Sequence, residues 1–344
     1  MSLPGEWLKF APNPRELTNS DQWNVFLSYR SVSRTWVLNL YDVLRELGHK
    51  VFLDQYALGP GDQLVRTLEN SLEVSQAGIL IWTNATRDSE WVRREYEVME
   101  RQATEKEGFQ FVPVKLDASK LPTFAGNRVF LDFSSYPDGP NGGELLRLLH
   151  AVAGKKLSPE AAHFANEQDE EALAAAARIG AAIKNKRPER LVQLFEEDGL
   201  PWKTSAALGS KAAEGLTKLD RNDEAIQMLE KLEQRFSKAI RPKQLKALAL
   251  ARRGREDDLM QAQEILGELY QTGERDPEAL SIYARTWMDR YDQSGDINDL
   301  RQSRDLYIEA FDTKQDDYYT GINAASKSVF LGSEEDLKRA AGYA

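Results

Sequence analysis

A switch in hydrophobic rhythm near residue 156 leaves few folds open to this sequence. Upstream of it, short β-branched and aromatic runs alternate with stretches of helical spacing. Downstream, helical spacing is almost all there is. A strand needs apolar residues at alternate positions or in a short continuous run, whereas a helix needs them at three- and four-residue steps. The two rhythms demand an α/β layer arrangement followed by an all-α one. A chain of 344 residues has room for both, at roughly 100–200 residues per domain.

In the first half, WNVFLSY (23–29) reads as a strand. Apolar residues then recur at Trp36, Val37, Leu40, Tyr41, Leu44 and Leu47, and the pattern stops at Gly48, which suits a helix C-cap. KVFLD (50–54) is a second strand, followed by a loop holding Leu58, Gly59, Pro60 and Gly61. Leu64, Val65, Leu68 and Leu72 mark a helix, and AGILIW (77–82) a central strand. The next helix begins near Ser89, an N-cap residue with Glu90 just inside. FQFVPVKL (109–116) and RVFLDF (128–133) are the last strands, and ELLRLLHAVAG (144–154) the closing helix. Strands alternating with helices imply a doubly wound parallel sheet covered on both faces. Ligands bind such sheets beyond the carboxyl ends of the strands, here after Tyr29, Asp54, Trp82 and Val114.

The second half repeats itself. DEAIQMLEKL, MQAQEILGEL and RQSRDLYIEA superpose with small residues at Ala225, Ala262 and Ser303. Each is followed at three, four and seven residues by Met228, Leu229 and Leu232, by Ile265, Leu266 and Leu269, or by Leu306, Tyr307 and Ala310. The spacing is close to the period of about 34 in tetratricopeptide repeats. Partner helices fall around 242–254 and 276–290, and helices around 171–184 and 188–197 cap the array or join it to the first domain. One such pair cannot bury its apolar face alone, so the pairs stack into a solenoid. The final LGSEEDLKRAAGYA starts another helix and stops, so either the array ends there or the chain is cut short.

Composition narrows the chemistry. Cysteine is absent, which removes disulfides, thiolate metal sites and cysteine nucleophiles and points to a reducing cytoplasm. Three histidines, His49, His150 and His163, lack ligand spacing, so no metal site is expected. The formal net charge of -10 disfavours nucleic acid or an anionic membrane as partner. No signal peptide is read at the N-terminus, and the longest apolar run is too short to span a bilayer. Neither a P-loop nor a G-x-G-x-x-G is present.

NVFLSYRS (24–31), GHKVFLDQYALGPGDQL (48–64), SQAGILIWTNATRDSEWVRREY (75–96), and FVPVKLD with LPTF (111–124) stand in the order and spacing of the TIR (Toll/interleukin-1 receptor/resistance) family. The resemblance covers roughly residues 22–153 and implies a flavodoxin-like sheet. It also implies an enzyme that cleaves the nicotinamide–ribose bond of NAD+, a substrate here and not a resident cofactor, with Glu95 as the catalytic carboxylate. A Trp-x-x-x-Glu spacing by itself arises in roughly one chain in three of this length. Placement gives it weight. Val92, Tyr96 and Met99 form the inward stripe of the helix, and Trp91 and Glu95 lie about 100° round from it, near the strand ends.

Other positions carry two readings each. Arg30 pairs with a phosphate or forms a surface ion pair, and Ser31 donates to the same group or caps the next helix. Trp91 stacks on nicotinamide or packs on the sheet. Asp54 orders the loop 55–62 or binds ribose, while Tyr56 closes over a ring. Leu58, Gly59 and Gly61 belong to the loop that closes the site; many family members have an acidic residue where Gly59 stands. Trp82 replaces the smaller residue usual in the family and is expected at the pocket mouth.

RDPEALSIYARTWMDRY through DDYYTGINAAS (275–326) is similar to the tetratricopeptide-like region of the apoptosis signal-regulating kinases, joined in bacterial proteins to TIR domains. That likeness implies a module for protein binding or self-assembly. The expected organisation is an extension (1–21), a TIR domain (22–155), a linker (156–170) and a helical repeat domain (171–344). The expected activity is NAD+ cleavage switched on by homo-oligomerisation through the TIR domains, in bacterial antiviral defence. The alternatives are a non-catalytic TIR adaptor and a pathogen effector.

Overall fold

The computed structural model describes residues 3–53, 64–86, 90–120, 129–237, 239–313 and 317–343. The chain divides into two compact units, Met1–Leu219 with Lys231–Arg241, and Asp220–Glu230 with Pro242–Ala344.

The first unit is built on five strands, β1 (Trp23–Ser28), β2 (Val51–Phe52), β3 (Ser75–Trp82), β4 (Gln110–Lys115) and β5 (Leu131–Asp132). All are parallel and lie in the order β2-β1-β3-β4-β5. That is the flavodoxin-like order, as expected. The central strands have no polar face because helices cover both sides: Ile79, Leu80, Ile81 and Trp82 are each at most 1% exposed. The flanking helices are α1 (Gly5–Leu8), α2 (Arg34–Glu46), α3 (Leu64–Glu73), α4 (Glu90–Glu105) and α5 (Gly142–Val152). Gly48, at φ 87°, takes the left-handed conformation that ends α2, as its position after Leu47 predicts.

The outer strands are shorter than expected. KVFLD keeps Val51–Phe52 and RVFLDF keeps Leu131–Asp132 as strand among the described residues. Each is an edge strand, paired with one neighbour among the described residues. Asp54 and Arg128 lie outside the described residues.

The stretch expected as a linker is helical from Pro159 on. Helix α6 runs unbroken over Pro159–Lys184, with Ser158 accepting from the Ala161 amide at 3.1 Å and proline at its first position. A capping serine followed by proline and glutamate is a helix start. It is followed by α7 (Pro188–Glu196), α8 (Pro201–Thr204) and α9 (Ala207–Lys218), all within the first unit. The contact between α5 and α6 is close. A Cβ on Gly143 would lie 2.0 Å from the Ala165 carbonyl oxygen. The Asp169 carboxylate accepts from the Gly143 amide at 2.7 Å, the Glu144 amide at 3.1 Å, the Tyr136 hydroxyl at 2.5 Å and Arg147 at 2.6 Å. It therefore caps α5 from a different helix.

The N-terminal extension also packs into this unit. Trp7 is 1% exposed, and the ring of Phe10 stacks on Phe164 with centroids 4.6 Å apart. Arg15 donates to the carbonyls of Gly108 at 2.6 Å and Gln76 at 2.5 Å, crossing the amino ends of β4 and β3.

The second unit is helical. Here lie α12 (Asp258–Gln271), α13 (Pro277–Ser294), α14 (Ile297–Thr313), α15 (Tyr318–Leu331) and α16 (Glu334–Tyr343), after α10 (Asn222–Arg235) and α11 (Ile240–Arg253), which the division between units crosses. The three repeat positions expected to be small, Ala225, Ala262 and Ser303, are all at 0% exposure. The Ser303 hydroxyl meets its burial by donating to the Ala284 carbonyl at 2.7 Å. Ile265, expected inward, is only half-buried, while Leu266 and Leu269 carry that face. No helix among the described residues is long and apolar enough to cross a membrane.

Candidate active site

Side chains alternate along a strand, so residues two apart share a face. Phe26 lies in an apolar cluster with Phe52, Leu80, Trp82, Val92, Tyr96 and Met99. Ser28, at the carboxyl end of β1, therefore faces the same way, towards α4. The approach of α4 depends on Gly78. A Cβ there would come within 2.9 Å of the Met99 sulfur and 3.1 Å of Phe109. Val92 and Met99 are at 0% exposure and Tyr96 at 4%, the inward stripe read from the sequence. These anchors fix the rotation of α4 about its axis and bring Glu95 to the end of β1.

Glu95 is half-buried, and its Oε2 accepts a hydrogen bond from the Ser28 Oγ at 2.5 Å. Ser28 is 2% exposed and paired in register with Leu80 on the neighbouring strand, so its own position is set by the sheet. Ser28 is absent from the sequence-level candidates. The signal for it was present in the alternation from Phe26, but a single serine closing an apolar run is also how many strands end.

Arg30 is exposed just beyond β1 on the same sheet edge, and its carbonyl accepts from the Ser33 amide at 2.8 Å to turn the chain into α2. Behind it, Arg34 donates to the Tyr29 hydroxyl at 2.9 Å. The loops after β3 and β4 are tied together at this edge. Asp117 accepts from the Asn84 amide at 2.7 Å and the Ser119 amide at 3.0 Å. Partial burial raises the Asp117 pKa, but the hydrogen bonds from Ser119 and Asn84, with Lys115 nearby, outweigh it and hold the carboxyl below its ordinary value. Lys115 pairs with Asp132 at 2.9 Å across β4 and β5. Sequence reading did not single out Asp117 or Asn84.

The remaining candidates divide. Asp54, Tyr56, Leu58, Gly59 and Gly61 lie outside the described residues, as do the side chains of Ser31 and Trp91. Trp82, expected at the pocket mouth, is 1% exposed in the core cluster beside Val92 and Tyr96. Its place in the strand alternation matches Leu80, so it points under α4 and not out of the sheet edge.

Two family models match the chain: the TIR domain over residues 25–148 and Tetratricopeptide Repeats-Sensor over residues 221–329. Among curated proteins, it is similar to the probable 2' cyclic ADP-D-ribose synthase TcpB of Brucella melitensis biotype 1, at 33% identity over 76 residues. That match spans 22% of this chain and 30% of the relative. The protein of the same name from Brucella abortus is also 33% identical over 76 residues, again 30% of its length. Among solved structures, MamA 41-end from Desulfovibrio magneticus RS-1 aligns with 50% of this chain and 90% of its own, at 14% identity and a TM-score of 0.38.

Proposed function

This chain carries a TIR domain at residues 25–148 and a tetratricopeptide-repeat sensor domain at 221–329, and from that premise we propose that it cleaves NAD+ at the nicotinamide–ribose bond. The observation that carries the reading is Glu95, held by Ser28 at the carboxyl edge of a doubly wound sheet, where such folds take their ligands. The distant likeness to proteins named as probable cyclic ADP-ribose synthases supports it. Nicotinamide leaves as a neutral base from a cationic one, so no general acid is needed and one carboxylate suffices. The glycosidic bond breaks with its electron pair passing to the pyridinium nitrogen. The oxocarbenium-like ribose left behind is stabilised by the adjacent anion. Water then adds to the anomeric carbon and loses a proton, giving ADP-ribose. A hydroxyl of the same molecule adding instead gives a cyclic isomer, and the names of the Brucella relatives favour that outcome. Arg30 stands on the same edge and suits a phosphate.

In this reading the sensor region answers a trigger or drives self-assembly, TIR–TIR contacts complete the site, and NAD+ depletion in the cytoplasm serves defence. The test is nicotinamide release from NAD+ at rising protein concentration, beside Glu95→Ala. Activity per molecule should climb with concentration and vanish in the variant. Equal turnover by both proteins would end the assignment of Glu95, and no nicotinamide at any concentration would end the enzymatic reading.

A further inference from the structure

We infer that Ser28 is the positioning residue for Glu95, its buried hydroxyl fixing the carboxylate in the orientation that cleavage uses; this rests on the NAD+-cleaving reading of the site. The packing of α4 fixes the backbone of Glu95 through Val92, Tyr96 and Met99, but it leaves the glutamate's own side-chain torsions to be set. The 2.5 Å bond from Ser28 to Oε2 constrains them. Its donor sits on an interior strand of the sheet, β1 being paired with β2 on one side and with β3, in register at Ser28 itself, on the other. The residue type points the same way. At the end of a buried strand, alanine packs as well as serine and a β-branched residue packs better. A hydroxyl there costs desolvation unless it is used, and its partner lies 67 positions away on α4.

A carboxylate that must meet a charge appearing only at the transition state loses most when it wanders. Misplacement by about 1 Å costs roughly a hundredfold in rate. Interactions specific to the transition state appear in kcat and not in KM.

The experiment has two arms, run on the full chain. In the first, Ser28→Ala and Ser28→Thr are assayed for nicotinamide release with NAD+ as the varied substrate. Ser28→Ala should lose about ten- to a hundredfold in kcat with KM within about threefold, and Ser28→Thr, which keeps the hydroxyl, should recover most of it. In the second, urea midpoints of Ser28→Ala, Glu95→Ala and the double variant complete a cycle that needs no activity. Losses that fail to add show that the two side chains are coupled. Additive losses, an unchanged kcat in Ser28→Ala, a rise confined to KM, or equal loss in the alanine and threonine variants would each overturn the inference. If the wild type releases no nicotinamide, the NAD+ reading falls by itself, and the cycle alone decides whether Ser28 holds Glu95.

Discussion

An anion that must stabilise a short-lived cation has to be charged, close and held before the cation forms. In the proposed reaction Glu95 would meet the last condition through Ser28, and the first can be tested without disturbing the second. Glu95→Gln keeps the shape and an oxygen to accept from Ser28, but removes the charge. Nicotinamide release should fall by about a thousandfold or more, while the thermal midpoint moves by no more than about 2 °C. A variant that keeps a tenth of the activity would show that the carboxylate's charge is dispensable. A different residue, His49, links stability to pH. His49 is 5% exposed, neither ring nitrogen has a hydrogen-bond partner among the described residues, and burial followed by the nearby Arg15 lowers its pKa from 6.5 to about 4. The unfolded chain therefore takes up a proton at His49 below pH 6.5 and the folded chain does not until about pH 4. Stability is complete above that window and falls as the pH drops through it, by about 2 kcal/mol at pH 5. Urea midpoints at pH 7.5 and 5 should show this decline in the wild type and a shallower one in His49→Leu. Parallel declines would place the acid sensitivity elsewhere.

At the scale of elements, the joint between α5 and α6 carries a specific prediction. Asp169 supplies from α6 the acceptor that the amides at the start of α5 need, and it pairs with Arg147 as well. Asp169→Ala should lower stability by about 2 kcal/mol, the upper end of a lost helix cap, measured as a shift in urea midpoint with an unchanged slope. A shift under about 0.5 kcal/mol would make α6 a bystander to α5. This joint also shows what sequence reading reaches. The inward stripe of α4 was legible because three apolar residues at helical spacing carry redundant information. The start of α6 at Ser158 and Pro159 carried a start signal too, but the change of rhythm near 156 invited a linker there. Asp169 and Ser28 were out of reach for a common reason. Each is a single polar residue whose partners lie 22 or more positions away, and no local period encodes such a pairing. The edge strands were read too long because apolar content marks a strand, whereas its length depends on a neighbour's ladder.

For the whole molecule, the division into units decides where the chain can be cut. A TIR domain suggests a fragment ending near 155, but the first unit continues through α9 and takes in Lys231–Arg241. Cutting at 155 would remove Ala165 and Asp169 from the start of α5 and Phe164 from Phe10. It would also remove Phe236 and Ala239, which with Leu3, Asn39 and Val43 line a small cavity beside α2. Residues 1–155 should therefore expose apolar surface, bind a hydrophobic dye and melt without a cooperative transition. Residues 1–241 should melt cooperatively. A sharp melt of the shorter fragment within a few degrees of the longer would show that α6 to α9 are dispensable to the sheet. The same cut tests the proposed division of catalysis from control. If the sensor region drives assembly, residues 1–241 should release nicotinamide only slowly, at a rate per molecule that no longer climbs with concentration. Activity at the assembled level from that fragment would instead assign the region a restraining role. A cut at 155 could not tell these apart, because loss of activity there follows from unfolding alone.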